Sequence, residues 1–300
     1  MPLSLPGVSL GYFHVEATDG TALQAWTNDP HDTRPGPTVV LCNGLGTNPY
    51  AWPALLDPAC SVRVVSWNHR GTGGSQRPRD PERVGIEDFA DDAVALMDHL
   101  ELSSAVLMGW SMGVNTMFEV ALAHPDRVRG MLAVGGVPGG TFASMGAPIL
   151  LPRPVRRPVA TGVAHLGRAL GPALSPVTTH LPVGRTLMQL LSHSGFMLPL
   201  ADPELGRRAV EEFLSTPVEW YMHLALHSSR HRRVSLRPID TPTAFVAGTW
   251  DVLASAHDMR TAAERIPGAT YTALRASHFL PLERPAEVHQ ELLGLLDRVG

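Results

Sequence analysis

The sequence predicts an α/β fold: a doubly wound, mostly parallel sheet with helices on both faces, interrupted by an inserted, mainly helical segment. Three observations predict it. Short apolar runs alternate with stretches of helical periodicity, the rhythm of strand–helix units. The runs are apolar on consecutive positions, as strands buried on both faces are. The rhythm stops after residue 138 and resumes after residue 237. The expected organisation is a core of residues 1–138 and 238–300 with a helical cap at 139–237.

The elements follow in order. Residues 12–17 and 23–27 read as a hairpin, with Asp19 and Gly20 as its turn signal. Residues 38–42 form a nearly all-apolar strand, followed by the loop Asn43-Gly44-Leu45-Gly46-Thr47 and a short helix near 50–56. Residues 62–67 are a second buried strand. In 86–100, Ile86, Phe89, Ala90, Ala93, Val94, Met97 and Leu100 recur at helical spacing. The acids Glu87, Asp88, Asp91 and Asp92 crowd its start, where the helix dipole favours negative charge. A strand at 105–108, a helix at 112–123 stopped near Pro125 and a strand at 129–134 complete the first half. Within the insertion, 207–214 and 217–226 have helical periodicity. Strands at 242–247 and 270–274 and an amphipathic helix at 286–299 close the chain.

Composition narrows the function classes. The chain is 44% hydrophobic and 17% charged, the balance of a globular protein rather than a disordered one. Its net charge of −4 carries no polyanion signature, so no nucleic-acid partner is expected. All 24 basic residues are arginine, a bias that a GC-rich coding genome explains as well as any function. The two cysteines, Cys42 and Cys60, provide neither a disulfide framework nor metal-ligand spacing. No metal or organic cofactor is expected. Residues 1–10 lack the basic start and long apolar stretch of a signal peptide. No run of about 18 apolar residues suggests stable membrane insertion. A cytoplasmic location is expected.

The chemistry is concentrated at Gly109-Trp110-Ser111-Met112-Gly113. This G-x-S-x-G pattern follows an apolar run and opens a helix, the context of a nucleophile elbow. A serine on so tight a turn has its hydroxyl lifted above the sheet edge, and glycines on either side avoid clashes with the neighbouring strand and helix. The Met112 backbone N–H is then one half of an oxyanion hole. Asn43-Gly44-Leu45-Gly46, at the end of an earlier strand, supplies the expected second donor, the Leu45 N–H. A third segment runs Trp67-Asn68-His69-Arg70-Gly71-Thr72-Gly73-Gly74-Ser75.

The loop at 43–46, the segment at 68–75 and the elbow at 109–113, in that chain order, resemble the α/β-hydrolase superfamily, and within it the capped esterase, lipase and haloperoxidase-type branch. The resemblance covers most of residues 20–135 and 240–298 and fails over the cap. It implies that Arg70, Gly71 and Ser75 are scaffold. Two positions depart from the family pattern: Asn43 stands where a histidine is usual, and Asn68 where an acid is usual. In such folds the acid follows the elbow and the histidine follows the acid. Asp251, in Ala247-Gly248-Thr249-Trp250-Asp251 just past a strand, is the preferred acid, with Asp258 as runner-up on a helix. Of 14 histidines only His278 and His289 follow the last strand, and His289 lies in the helix pattern. His278 sits in a family-like run that includes Glu283 and Pro285. Ser111, His278 and Asp251 thus form the expected triad. Trp110 and Asn43 are expected at the substrate pocket.

The cap residues 139–237 carry 11 arginines against five acids, net +6, leaving −10 on the rest. That charge fits a solvated face balancing an acidic body. It also fits an attraction for an anionic head group, a phosphopantetheine carrier or an anionic membrane surface. The leading functional expectation is hydrolysis of a small or medium apolar carboxylic ester through an acyl-enzyme. A lactonase, thioesterase, amidase, carbon–carbon bond hydrolase or perhydrolase would use the same triad. A ligand-binding protein on the same fold is the non-enzyme alternative.

Overall fold

In the computed structural model, residues 9–300 are described. The expectation for residues 1–10 therefore falls almost wholly outside the described residues. In the first half, β1 (Gly11–Glu16), β2 (Ala22–Thr27) and β3 (Thr38–Cys42) precede α1 (Pro53–Leu56) and β4 (Arg63–Trp67). Then come α2 (Ile86–His99), β5 (Ala105–Trp110), α3 (Gly113–Ala123) and β6 (Val128–Val134). Five helices follow: α4 (Thr141–Ser144), α5 (Arg153–Thr178), α6 (Arg185–Ser192), α7 (Pro203–Leu214) and α8 (Val218–Ser228). The chain closes with β7 (Thr243–Gly248), α9 (Ala256–Ala263), β8 (Thr270–Leu274), α10 (Leu280–Glu283) and α11 (Pro285–Val299).

The eight strands form one sheet in the order β1-β2-β4-β3-β5-β6-β7-β8. Only the β1–β2 and β2–β4 pairings are antiparallel. The others are parallel, as continuous apolar strands require. Successive side chains point to opposite faces, and the two cores show it. Val40, Cys42, Leu107, Met131, Ala133 and Phe245 pack with Leu96, Met117, Phe118 and Met259 of α2, α3 and α9. Their neighbours Val39, Leu41, Val106, Met108, Leu132 and Val246 pack with Leu55, Leu292 and Leu295 of α1 and α11. Because β3, β5, β6, β7 and β8 run parallel, their carboxyl ends lie along one edge, where open α/β sheets carry their ligand sites.

The helical segment between β6 and β7 has two small clusters of its own. Phe142, Ala164 and Leu226 join α4, α5 and α8. Trp220 and Leu224 of α8 pack with Leu45, Val84, Ile86, Phe89 and Met112 of the surrounding loops and α2. Helix α5 runs 26 residues through Pro158, Pro172 and Pro176. A proline inside a helix leaves the carbonyl four residues earlier unpaired. All three prolines are exposed, as are Pro154, Arg168 and Pro172 four residues before them, so water can satisfy those carbonyls. The short helix expected near 50–56 is split: a 3₁₀ turn at Pro49–Ala51 precedes α1, because Pro53 interrupts the backbone hydrogen bonding.

Candidate active site

The site is built where β5 turns into α3. Ser111, between them, has φ of 56°, a left-handed conformation that a side-chain-bearing residue adopts only under constraint. The constraint is visible. The Ser111 N–H donates to Val134 O of β6 at 2.9 Å, and its carbonyl accepts from Val114 N at 3.2 Å. Helix α3 runs so close to β3 that a Cβ on Gly113 would lie 1.8 Å from Cys42 O. Only glycine fits there, which explains the second glycine of the motif.

Ser111 is half-buried, and its Oγ lies 2.8 Å from His278 Nε2. His278 Nδ1 is 2.9 Å and 3.0 Å from the two carboxylate oxygens of Asp251. Asp251 is fully buried, and its Oδ1 also accepts from the N–H groups of Leu253 and Ala254, both at 2.8 Å. Those bonds aim the carboxylate at the imidazole. The loop bearing His278 is held in turn by Glu283, which is buried. Its Oε2 accepts from Ser277 N at 2.7 Å and its Oε1 from Ser277 Oγ at 2.5 Å. The same Oε1 accepts from Leu198 N at 2.7 Å, joining this loop to the segment between α6 and α7. Asp258, the runner-up acid, lies on α9 and pairs instead with Arg153 and Arg233, at 3.2 Å and 3.5 Å.

Leu45 and Met112 are both buried, on facing loops after β3 and β5. Neither backbone N–H donates to a protein acceptor among the described residues. The loop between them and the strand is tight: Thr47 N donates to Gly44 O at 3.0 Å, and Gly46 takes φ of 68° with the Tyr221 ring 3.2 Å from where a Cβ would stand.

Trp110 and Asn43, the residues expected at the substrate pocket, are both engaged in hydrogen bonds within the chain. Trp110 is buried below the site, edge-on to Trp52, and its indole N–H donates to His278 O at 3.1 Å. It braces the histidine loop. Asn43 is buried too, and its Oδ1 accepts from Trp52 Nε1 at 3.0 Å and Gly44 N at 3.1 Å. A residue that ends a strand can face either way, and sequence alone does not say which. At Asn68 the departure has a local reason: its Nδ2 donates to Gly73 O at 2.6 Å, a bond an ionised aspartate could not donate. Arg70 is buried against Asp92, and Ser75 Oγ ties Asn68 O to Gln24 N, so this segment is scaffold.

Behind Leu45 and Met112 lies a buried apolar cluster of Val84, Ile86 and Phe89 with Trp220 and Leu224 of α8. Trp220 is held by its indole N–H, which donates to Arg70 O at 2.9 Å. Behind Phe89 lies His69, edge-on at 4.7 Å between ring centroids, with no partner for Nδ1. Burial pushes the His69 pKa down to about 4. Burial pushes the Cys42 thiol up to about 12, so it offers no rival nucleophile.

Two side-chain groups among the described residues lie close enough to share a cation: Glu82 with His223 and His227, and Glu87 with Glu119 and His231. Neither includes Ser111, Asp251 or His278. Arg230 stands 3.4 Å from Glu82 in the first group, and His231 already bonds Glu119 at 2.6 Å in the second.

A parallel sheet with a serine on a strained strand-to-helix turn, and an imidazole–carboxylate pair arriving from later loops, defines an α/β-hydrolase. The family described as alpha/beta hydrolase fold matches residues 37–285, and the chain belongs to it. Among its relatives, a Caulobacter segnis protein bearing the name "Putative carbamate hydrolase RutD" is 38% identical over 100 residues. That match spans 33% of this chain and only 37% of the relative's length. Epoxide hydrolase A of Mycobacterium tuberculosis is 26% identical, with 87% of this chain and 90% of that protein covered. The solved enol-lactonase of Burkholderia xenovorans LB400 superposes with a TM-score of 0.70 at 26% identity, over 95% of this chain and 100% of that one. Family and relatives alike support a hydrolase.

Proposed function

We propose that the chain is a serine hydrolase of carboxylic esters, with Ser111 as nucleophile, His278 as general base and acid, and Asp251 as the group that orients the imidazole. One observation carries this reading: the unbroken chain from Ser111 Oγ through His278 to Asp251, at 2.8 Å and 2.9 Å. In the proposed reaction Ser111 Oγ attacks the ester carbonyl carbon while its proton passes to His278 Nε2. The carbonyl oxygen, now an anion, accepts from the Leu45 and Met112 N–H groups. The carbon–oxygen bond to the alcohol breaks, and His278 returns the proton to the departing oxygen. Water, deprotonated by the same nitrogen, then releases the acid and frees Ser111.

The buried, apolar surroundings of the Leu45 and Met112 backbone support a small or medium apolar substrate. A serine at position 111 speaks against the reaction named for the epoxide hydrolase relative, where a carboxylate nucleophile forms the ester intermediate. A lactone is the second reading, favoured by the likeness to an enol-lactonase along nearly the whole chain. The same proposal treats 139–237 as a cap over the core. It also keeps a cytoplasmic setting, supported by two free, buried cysteines. It calls for no cofactor and no nucleic-acid partner.

The test is hydrolysis of p-nitrophenyl esters from acetyl to palmitoyl, with Ser111→Ala beside the wild type. Loss of about four orders of magnitude or more in kcat is expected in the variant. Ester turnover unaffected by Ser111→Ala would end the proposal.

A further inference from the structure

The two histidine–carboxylate groups outside the Ser111 site differ in one respect. In the group of Glu87, Glu119 and His231, both ring nitrogens of His231 are engaged. Nε2 bonds Glu119 Oε1 at 2.6 Å, and Nδ1 lies 3.3 Å from Asn115 Oδ1. In the group of Glu82, His223 and His227, one ring nitrogen is not. His227 is 5% exposed, and its Nε2 has no hydrogen-bond partner among the described residues. A buried polar atom left in this way calls for a physical reason, and an ion is one.

The geometry around that nitrogen fits an ion. His227 Nε2 lies 3.5 Å from Glu82 Oε1. Two ligands of one tetrahedral zinc ion, each at its usual bond length, stand about 3.4 Å apart. His223, one helical turn earlier on α8, completes the set. One nitrogen from each ring and one oxygen of Glu82 lie within 4.8 Å of one another. Histidines at i and i+4 share a helix face, the spacing by which a helix chelates a metal. Both rings are buried, with centroids 4.4 Å apart. His223 is held in place, stacked on Trp220 at 5.0 Å, with Nε2 2.7 Å from Pro81 O. A carbonyl only accepts, so Nε2 carries the proton and Nδ1 keeps its lone pair. Burial holds the His227 pKa below the ordinary histidine value, so its ring is neutral, the form that binds metal.

Arg230 is the competitor. It approaches Glu82 Oε2 and His227 Nδ1, both at 3.4 Å, and its side chain is exposed and free to swing away. Two imidazoles and one carboxylate suit zinc and its first-row neighbours, not calcium or magnesium, which take oxygen. We propose that Glu82, His223 and His227 bind a divalent first-row metal ion, zinc by preference, which staples α8 to the loop before α2. The ion takes no part in the reaction proposed for Ser111, and nothing in this inference depends on that reading. Its work is positional. Glu82 shortly precedes Val84 and Ile86, and His223 and His227 flank Leu224, all three in the buried cluster with Leu45 and Met112. Cysteine spacing, from which no metal is expected, says nothing of this site. Its two halves, Pro81-Glu82 and α8, are brought together only by the fold, with Pro81 and His223 142 residues apart.

The experiment is titration of the untagged full chain, first stripped of metal by chelator, with zinc chloride. Calorimetry reads the binding and thermal unfolding reads Tm. One equivalent should bind and raise Tm. Loss of even an outer partner of a metal ligand weakens a site about 10–100-fold, so Glu82→Gln and His227→Gln should each weaken binding at least about tenfold. Glu82 is exposed, so its substitution spares the fold, and circular dichroism checks His227→Gln. Arg230→Gln removes the competing cation and should tighten binding about fivefold. Glu87→Gln, in the other group, should change nothing. Absence of zinc binding by the folded wild type would overturn the inference. So would binding indifferent to Glu82→Gln, which would place the ion on other histidines, or binding lost in Glu87→Gln, which would place it in the other group. Weaker binding in Arg230→Gln, or an equal rise in Tm with magnesium, would overturn it as well.

Discussion

The carboxyl edge of the sheet and the outer face of α5 follow opposite rules. At the sheet edge, backbone approaches backbone so closely that side chains are excluded, as at Gly113 against Cys42 O. Charged and polar groups there have partners inside the chain: Asp251 has the imidazole and two backbone N–H groups, and Glu283 has three donors. On α5 the glycines Gly162 and Gly167 stand in open or yielding space, and the large apolar side chains are 41% to 64% exposed. One region is determined by its own contacts. The other is only loosely constrained by them. Substitutions should therefore be severe at the sheet edge and mild on α5.

The sharpest test of that contrast is Gly113→Ala. A methyl group 1.8 Å from a carbonyl oxygen cannot be accommodated unless α3 moves off β3, and the elbow with it. A loss above about 4 kcal/mol is expected, seen as absence of folded protein or as early unfolding in urea. A variant with wild-type stability would mean that α3 and β3 are not packed this closely.

The next effect is a pH dependence. His69 is neutral in the fold, because burial pushes its pKa to about 4, whereas the unfolded chain binds a proton near 6.5. Between those values the unfolded state holds more protons, so stability falls as pH falls from about 6.5 to about 4. The shift corresponds to roughly 3 kcal/mol. Glu212 acts in the opposite sense, since burial pushes its carboxyl up to about 7 and favours the fold at lower pH. Comparing wild type with His69→Leu by urea denaturation across this range separates the two. The difference between them should change with pH by roughly 3 kcal/mol, and a constant difference would show that His69 does not titrate as described.

Glu283→Gln comes third. A glutamine has one acceptor oxygen where the three donors Leu198 N, Ser277 N and Ser277 Oγ now share two. At least one buried donor loses its partner, at about 1–3 kcal/mol. Because Ser277 precedes His278, ester turnover should fall about tenfold as well. Unchanged stability would remove Glu283 from the support of the site.

How much of this is legible in sequence follows the same division. The elbow is legible because close packing demands glycine at set distances from the serine, and Gly109 and Gly113 carry that demand openly. Strand–helix alternation and the chain order of the family that this sequence resembles point to Asp251 and His278 as candidates, since each follows a strand, β7 and β8. The hydrogen bonds of Trp110 and Asn43 are not legible, because a strand-end residue can face the site or the core, and their partners, His278 O and Trp52 Nε1, are 168 and nine residues away. The apolar cluster behind the site is hidden inside an ordinary helical pattern: Phe89 is one of several apolar residues of α2, and nothing local separates it from its neighbours. Helix α5 falls within the mainly helical segment expected at 139–237, but its bounds and its outward face are not legible. Its three internal prolines argue against a helix, and its large residues point away from the core that periodicity is meant to find.

The smallest effect expected is Gly162→Ala, and its sign is what matters. Gly162 lies inside α5 with a negative φ, and nothing stands within 4 Å of where its Cβ would be. Alanine restricts the unfolded chain more than glycine does, without meeting any neighbour, so the folded state should gain about 0.5–1 kcal/mol. A rise in Tm of about 2 °C is the corresponding readout. The same chemical change, one methyl group on a helical glycine, would then destabilise α3 and stabilise α5. If Gly162→Ala instead destabilises the protein, the outer face of α5 must already be covered in solution, and self-association of the chain through that face becomes the explanation to measure.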